Sequence, residues 1–236
     1  MNDKGRREKC ISLSSDYTMT QPPRLEFLWN IINKVKENNT NGCLIECGVY
    51  KGGSSMLMAY ALDCFGLDRE LFLFDTFTGM TKPTDKDVKI SNGNTYLDKW
   101  NTYFDKWKEK TKNGITDWCY CSLEDVKKNM KKTKYEKVNY IKGKVEDTIN
   151  EKLFLDKKSL SEIAVLRIDT DFYHSIKHIM NTLFEKVINN GFVIFDDYYC
   201  WKGAKDAVDE YFKDKKLNIK HIEGVDHSCA AYQVKL

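Results

Sequence analysis

Short apolar runs alternate along the chain with longer segments whose apolar residues recur every three to four positions. The runs at 43–47, 70–74, 138–142, 163–168, 192–195, 219–222 and 229–234 predict strands. Leu25, Leu28, Trp29, Ile32 and Val35 form one helical stripe, opened by Pro22-Pro23. Ile176, Ile179, Met180, Leu183, Phe184, Val187 and Ile188 predict a second helix, closed by a left-handed cap at Asn190-Gly191. Ala204, Ala207, Val208, Tyr211 and Phe212 mark a third. Such alternation predicts a doubly wound α/β fold, its mainly parallel sheet covered by helices on both faces. The last two strands are joined around 224–228, which is too short for a crossover helix. The final strand is therefore expected to run antiparallel to its neighbour.

Residues 78–118 break this rhythm. Trp100, Tyr103, Phe104 and Trp107 have helical spacing, and the stretch from Thr81 to Asn94 reads as a polar, flexible loop. An aromatic stripe is usually core; a substrate-facing lid is the alternative.

A chain of 236 residues fits one such domain over 1–236. Its 38 basic and 35 acidic side chains leave a net charge of only +3, which gives no electrostatic reason to expect nucleic acid or an anionic membrane as partner. The opening residues, Met1 to Lys9, lead into no apolar stretch of the secretory kind, and the apolar runs are too short to span a bilayer. The eight cysteines form no CxxC pair, so they read as small buried hydrophobes in a reducing cytoplasm.

Three clusters carry candidate chemistry. Leu44-Ile45-Glu46-Cys47-Gly48 runs into Val49-Tyr50-Lys51-Gly52-Gly53-Ser54-Ser55, a strand entering a Gly-rich turn and then a helix. This is not the dinucleotide fingerprint; Glu46 would repel a pyrophosphate but suit a cationic or hydroxyl-rich ligand. Asp75 ends the second strand 22 residues after Gly53, near the ~20-residue spacing of an acid that binds a ribose hydroxyl. Asp169-Thr170-Asp171 ends the fourth strand and Asp196-Asp197 the fifth, and in a parallel sheet these tips are neighbours. Carboxylates gathered there need a cation to offset their repulsion, and hard oxygen ligands suit Mg²⁺. Asp171 alone is explained equally well as a cap for the helix near His174. His174 and His178 stand one helical turn apart, as a metal pair would, but with no acid between them they read as a polar helix face; His221 and His227 have no local partners, and all four stay outside the expected mechanism.

In these blocks the chain resembles the macrocin and mycinamicin sugar O-methyltransferases (the TylF/MycF type). The resemblance runs through Tyr17-Thr18-Met19-Thr20, Ile45 to Ser54, Asp75-Thr76-Phe77-Thr78-Gly79-Met80, Cys121 to Val126, Lys142 to Thr148, Leu166 to Ser175 and Phe195 to Tyr198. It implies a Rossmann-like, class I methyltransferase sheet of order 3-2-1-4-5-7-6. It also implies an N-terminal helical cap over 1–40 and a variable substrate-region insertion over 78–118. The activity implied is transfer of a methyl group from S-adenosylmethionine (SAM) to a hydroxyl of a sugar, nucleotide-sugar or glycosylated acceptor, with Mg²⁺. Carried over by position, Thr18, Met19, Glu46, Gly48, Tyr50, Gly52, Ser54, Thr76, Phe77 and Asp169 would lie against the cofactor. Asp75 would hold its ribose, while Ser122, Gly143 and Val145 border the adenine. Asp169, Asp196 and Asp197 would hold the metal, with Asp169 also the general base. Thr170 and His174 depart from the family pattern, as does 81–118, which leaves the acceptor open. A metal-dependent catechol-type methyltransferase is the alternative enzyme, and a non-catalytic adenosine-cofactor binding module the alternative from another class. Self-association into a homo-oligomer is compatible with each reading.

Overall fold

Seven strands pair edge to edge in the computed structural model, which describes residues 3–88, 90–91, 94–95, 105, 107–112, 115–213, 215, 217–222, 226 and 228–235. They are β1 (Cys43–Cys47), β2 (Leu71–Asp75), β3 (Val138–Lys142), β4 (Ile163–Ile168), β5 (Val187–Phe195), β6 (Ile219–Ile222) and β7 (Ala230–Val234). Their order is 3-2-1-4-5-7-6. The first five are mutually parallel, and β7 runs antiparallel to both β5 and β6. The helices are α1 (Asp3–Ser15), α2 (Pro22–Glu37), α3 (Gly53–Phe65), α4 (Leu123–Met130), the single turn α5 (Val145–Thr148), α6 (Glu151–Asp156), α7 (Tyr173–Leu183) and α8 (Lys202–Lys213).

Because successive strand residues point to opposite faces, each strand feeds two cores. Leu44, Leu71, Leu73 and Val165 pack with Leu25, Leu28 and Ile32 of α2 and with Met56 and Leu57 of α3. Ile45, Phe72, Phe74, Leu166 and Val193 pack with Ile176, Ile179, Met180 and Leu183 of α7 and with Ala204, Ala207 and Val208 of α8. Every residue of β1 and β4 is buried, whereas the edge strand β3 is not. Each fully buried Leu, Ile or Phe stabilises the fold by about 1.5–3 kcal/mol. Pro22 and Pro23 occupy the first turn of α2 behind Gln21, and Gly66 closes α3 at φ 66°.

The helix expected through Ile188 stops earlier. α7 ends at Leu183, a 3₁₀ turn covers Phe184–Lys186, and Val187 and Ile188 already belong to β5. Ile163 pairs with Val187 and Val165 with Phe192, so β5 carries three extra residues as a bulge. Asn190 does adopt the left-handed conformation, at φ 64°, but inside that bulge and not as a helix cap. A Cβ on Gly191 would sit 2.9 Å from the Ile188 carbonyl oxygen and 3.0 Å from that of Ile163, which explains the glycine. Two β-branched residues favour the pleated edge over another helical turn.

The described part of the stretch expected to be a flexible loop is tied to the 200–202 backbone. The Ile90 N–H donates to Cys200 (2.8 Å) and the Lys202 N–H to Val88 (2.7 Å), with Asp87 and Val88 buried. Trp100, Tyr103 and Phe104 lie outside the described residues. Trp107 donates through Nε1 to the Met80 carbonyl at 3.0 Å. All eight cysteines are free thiols. No helix among the described residues is long and apolar enough to cross a membrane.

Candidate active site

The turn after β1 is built around Asp75. Its Oδ2 accepts the N–H groups of Val49 (2.6 Å) and Tyr50 (3.1 Å), and its Oδ1 that of Phe77 (2.7 Å). Gly48 has φ 87°, and a Cβ there would lie 1.9 Å from the Asp169 carbonyl oxygen. Only glycine lets the β1 tip approach the β4 tip this closely. Tyr50 (φ 53°) and Gly52 (φ 89°) complete a strongly bent turn that opens α3.

Above these tips lies a cavity of about 370 Å³, within the ~300–1,000 Å³ range of small-molecule sites. The N-terminal segment supplies Thr18 and Met19 to its wall, and the first turn supplies Glu46, Gly48, Tyr50 and Ser54. Asp75 and Thr76 follow from β2, Gly143 and Val145 from the turn after β3, and Asp169 from β4. Three of the residues assigned to the cofactor by resemblance stand outside the wall. Gly52 faces Val126, 3.4 Å from where its Cβ would be. The Phe77 side chain is core, 2% exposed. Ser122 caps α4, accepting the Asp125 N–H at 3.1 Å.

The carboxylates at the strand tips divide into two groups. Oxygens of Asp169, Asp171 and Asp197 lie within 4.8 Å of one another. Asp196 points elsewhere: it is bound at 2.6 Å by both Arg24 and Arg167. Arg167 is buried and also pairs with Glu46 (2.6 Å) and Asp169 (2.7 Å), while Arg24 reaches Asp226 (2.8 Å). Glu46 lines the cavity, yet its charge is met by Arg167 and by the Ser55 hydroxyl. Its attraction for a cationic ligand is thus largely offset inside the protein.

The electrostatics follow from this wiring. Burial raises the Asp169 carboxyl well above the usual range, and Asp196 adds to the shift against the pull of Arg167. Burial and then Asp197 raise Asp171 likewise. Burial disfavours the charge on Arg167, but Asp196, Asp169 and Glu46 more than offset it. Two guanidiniums therefore face six carboxylates, Asp226 included, and the uncompensated surplus sits where Asp169, Asp171 and Asp197 converge. Asp171 holds φ 59°, unusual for a non-glycine residue and a feature that clusters at functional sites. The adjacent Thr170 hydroxyl is buried without a partner. These residues fit a hard divalent cation.

Asp171 is not the cap of α7. The first helical N–H, from Tyr173, is accepted by Asp87 at 2.8 Å, 86 positions away in the chain. Arg24 and Arg167, which wire the carboxylates, and Asp87, which caps α7, carry no signal in the sequence that singles them out. His178 hydrogen-bonds the Ile149 carbonyl oxygen (3.0 Å), His174 and His221 pack on tyrosines, and His227 lies outside the described residues.

The family match and the named relatives identify this 3-2-1-4-5-7-6 sheet, with its acid-anchored glycine turn, as that of a SAM-dependent O-methyltransferase. The sequence matches the macrocin-O-methyltransferase (TylF) family over residues 2–234, and the chain belongs to that family. It is similar to demethyldecarbamoylnovobiocin O-methyltransferase of Streptomyces niveus, 30% identical over 204 residues, covering 83% of this chain and 67% of that protein. A second relative, from Streptomyces olivaceus, is 8-demethyl-8-(2,3-dimethoxy-alpha-L-rhamnosyl)-tetracenomycin-C 4'-O-methyltransferase, 26% identical with the same coverage. The solved O-methyltransferase NovP superposes with a TM-score of 0.74 at 27% identity, over 93% of this chain and 83% of that one.

Proposed function

We propose that this enzyme methylates a hydroxyl of a saccharide-type acceptor, using Mg²⁺ held by Asp169, Asp171 and Asp197. The observation that carries the reading is the convergence of these three carboxylates in the same cavity as the Asp75 turn. The relatives' names support the acceptor class, one of them specifying a rhamnosyl group.

The chain's own residues divide the work along the strand tips. Asp75 is held by three backbone N–H groups, and its Oδ1 keeps lone-pair capacity for a ribose hydroxyl. Gly48 lets the ligand pass close to the backbone. Asp169, fixed through Oδ2 by Arg167 and lining the cavity, would accept the acceptor's hydroxyl proton as the oxygen takes the methyl group from SAM, leaving SAH. Asp171 and Asp197, with Asp169, would hold the cation. Bound Mg²⁺ would lower the pKa of a coordinated hydroxyl and fix its position, and bound SAM would supply the methyl group as an activated sulfonium. Alignment of nucleophile and methyl is then the main contribution of the protein.

The test is conversion of SAM to S-adenosylhomocysteine (SAH) across sugar and nucleotide-sugar acceptors, with and without chelator. Turnover that chelator abolishes and Mg²⁺ restores is expected. Full activity in excess chelator would remove the metal and leave Asp169 as a metal-free base.

A further inference from the structure

We propose that Trp118 is the acceptor platform, carrying the apolar C–H face of a pyranose ring while the ring's hydroxyls face Asp169, Asp171 and Asp197. The inference rests on the methyl-transfer reading above and adds the surface that selects the acceptor.

The strand tips set a direction across the cavity. From one edge they run β3, β2, β1, β4, β5. The Gly143 turn is joined to Asp75 by a 3.0 Å hydrogen bond from the Gly143 N–H to the Asp75 carbonyl. On the methyl-transfer reading, a nucleoside whose ribose meets Asp75 and whose base lies by the Gly143 turn has its sulfonium toward β4. That leaves the β4 and β5 end for the acceptor.

An aromatic row stands at that end. Phe172 follows Asp171 directly, and the Trp201 N–H donates to the Asp197 carbonyl at 3.1 Å. Trp118 packs edge to face on Phe172 at 6.4 Å and 77°, and Phe172 on Trp201 at 5.6 Å and 85°. Phe172 is almost fully buried; Trp201 and Trp118 both line the cavity, but Trp201 is buried whereas Trp118 is only partly buried against the core.

Trp118 is also held rigidly. The Thr116 N–H donates to Thr78 (3.1 Å) and the Met80 N–H to the Trp118 carbonyl (3.0 Å), so the two ends of the insertion are laced together. Gly79, at φ 87°, lies so close that a Cβ would be 2.3 Å from the Thr116 carbonyl oxygen. A platform built on a locked strap orders its ligand with little entropic cost of its own. An apolar ring across from three carboxylates matches a molecule with hydroxyls on one edge and C–H groups on its face.

The experiment uses the full chain with Mg²⁺, SAM and either methyl α-L-rhamnopyranoside or catechol, and follows SAH formation. Calorimetry with SAH gives the cofactor Kd separately. Turnover of the pyranoside is expected. Trp118→Ala should raise its KM about tenfold, equivalent to about 1.4 kcal/mol, with kcat within about threefold. Trp118→Phe should restore most of the loss, and neither variant should shift the SAH Kd. If W118A does not fold, Trp118→Leu, which keeps apolar volume without a flat face, carries the same expectation. An unchanged KM overturns the platform. Equal weakening of SAH and acceptor overturns it too, by assigning the ring to the nucleoside. No pyranoside turnover by a wild type that binds SAH overturns the acceptor class, whether or not catechol is methylated. A wild type that fails to bind SAH would sink the methyl-transfer reading itself, and the platform with it.

Discussion

Asp171→Asn and Asp196→Asn should behave oppositely, because one carboxylate sits in surplus negative charge and the other between two guanidiniums. Removing one partner of a buried ion pair costs about 3–5 kcal/mol. Without Asp196, Arg167 still has Glu46 and Asp169, and Arg24 still has Asp226. A loss of about 2–3 kcal/mol is therefore expected for Asp196→Asn, which lowers the melting temperature by about 4–12 °C in a chain of this size. Asp171 instead faces Asp169 and Asp197 within 4.8 Å. Two unit charges at that separation repel by about 3.5 kcal/mol at an effective dielectric near 20. A hydrogen bond between Asp171 and Asp197 already relieves part of this in the free protein. Asp171→Asn should thus be neutral to about 1 kcal/mol stabilising in chelator, yet lose most of its divalent-cation affinity. Urea unfolding in chelator gives the stabilities, and Mn²⁺ titration followed by electron paramagnetic resonance gives the affinities. The reasoning is refuted if Asp196→Asn loses Mn²⁺ at unchanged stability while Asp171→Asn binds it like wild type.

Asp75→Ala removes the acceptor of three backbone N–H groups, so calorimetry should show SAH binding at least about tenfold weaker, with acceptor KM moving less. SAH should bind wild type in excess chelator, since apart from Asp169 its expected contacts lie outside the carboxylate trio; an absolute metal requirement would contradict this. Asp87→Ala takes away the cap of α7 and a tie of the 84–90 segment; a loss of about 1–2 kcal/mol in urea unfolding is expected, and unchanged stability would show the cap to be dispensable.

Much of the fold was legible because it is written in local pattern. The burial of Cys43–Cys47 and Ile163–Ile168 follows from continuous apolar runs, and the antiparallel β7 from a short connection. Val187 and Ile188 continue the helical spacing of Ile176 to Leu183, so periodicity alone could not show that pairing with Ile163 would claim them for the sheet. The site was legible as a set of strand tips but not in its wiring. That carboxylates gather there follows from parallel topology; which of them face a cation depends on where Arg24 and Arg167 point. Arg24 lies 172 positions from Asp196, and nothing in the spacing joins them. Asp87 likewise looks like one more polar residue of a loop until Tyr173 is brought to it.

The reach of Arg24 bears on how the protein is made. Asp196 is synthesised 172 residues after Arg24 and Asp226 later still, while α2 itself can already bury Leu25, Leu28 and Ile32 against α3 and β1. An emerging chain can therefore assemble the glycine turn and its Asp75 anchor early. The charge network that turns Asp196 away from the trio waits for the closing hairpin. Competence to hold a nucleoside and competence to poise an acceptor are separated in the order of synthesis, and the second arrives only with the complete sheet.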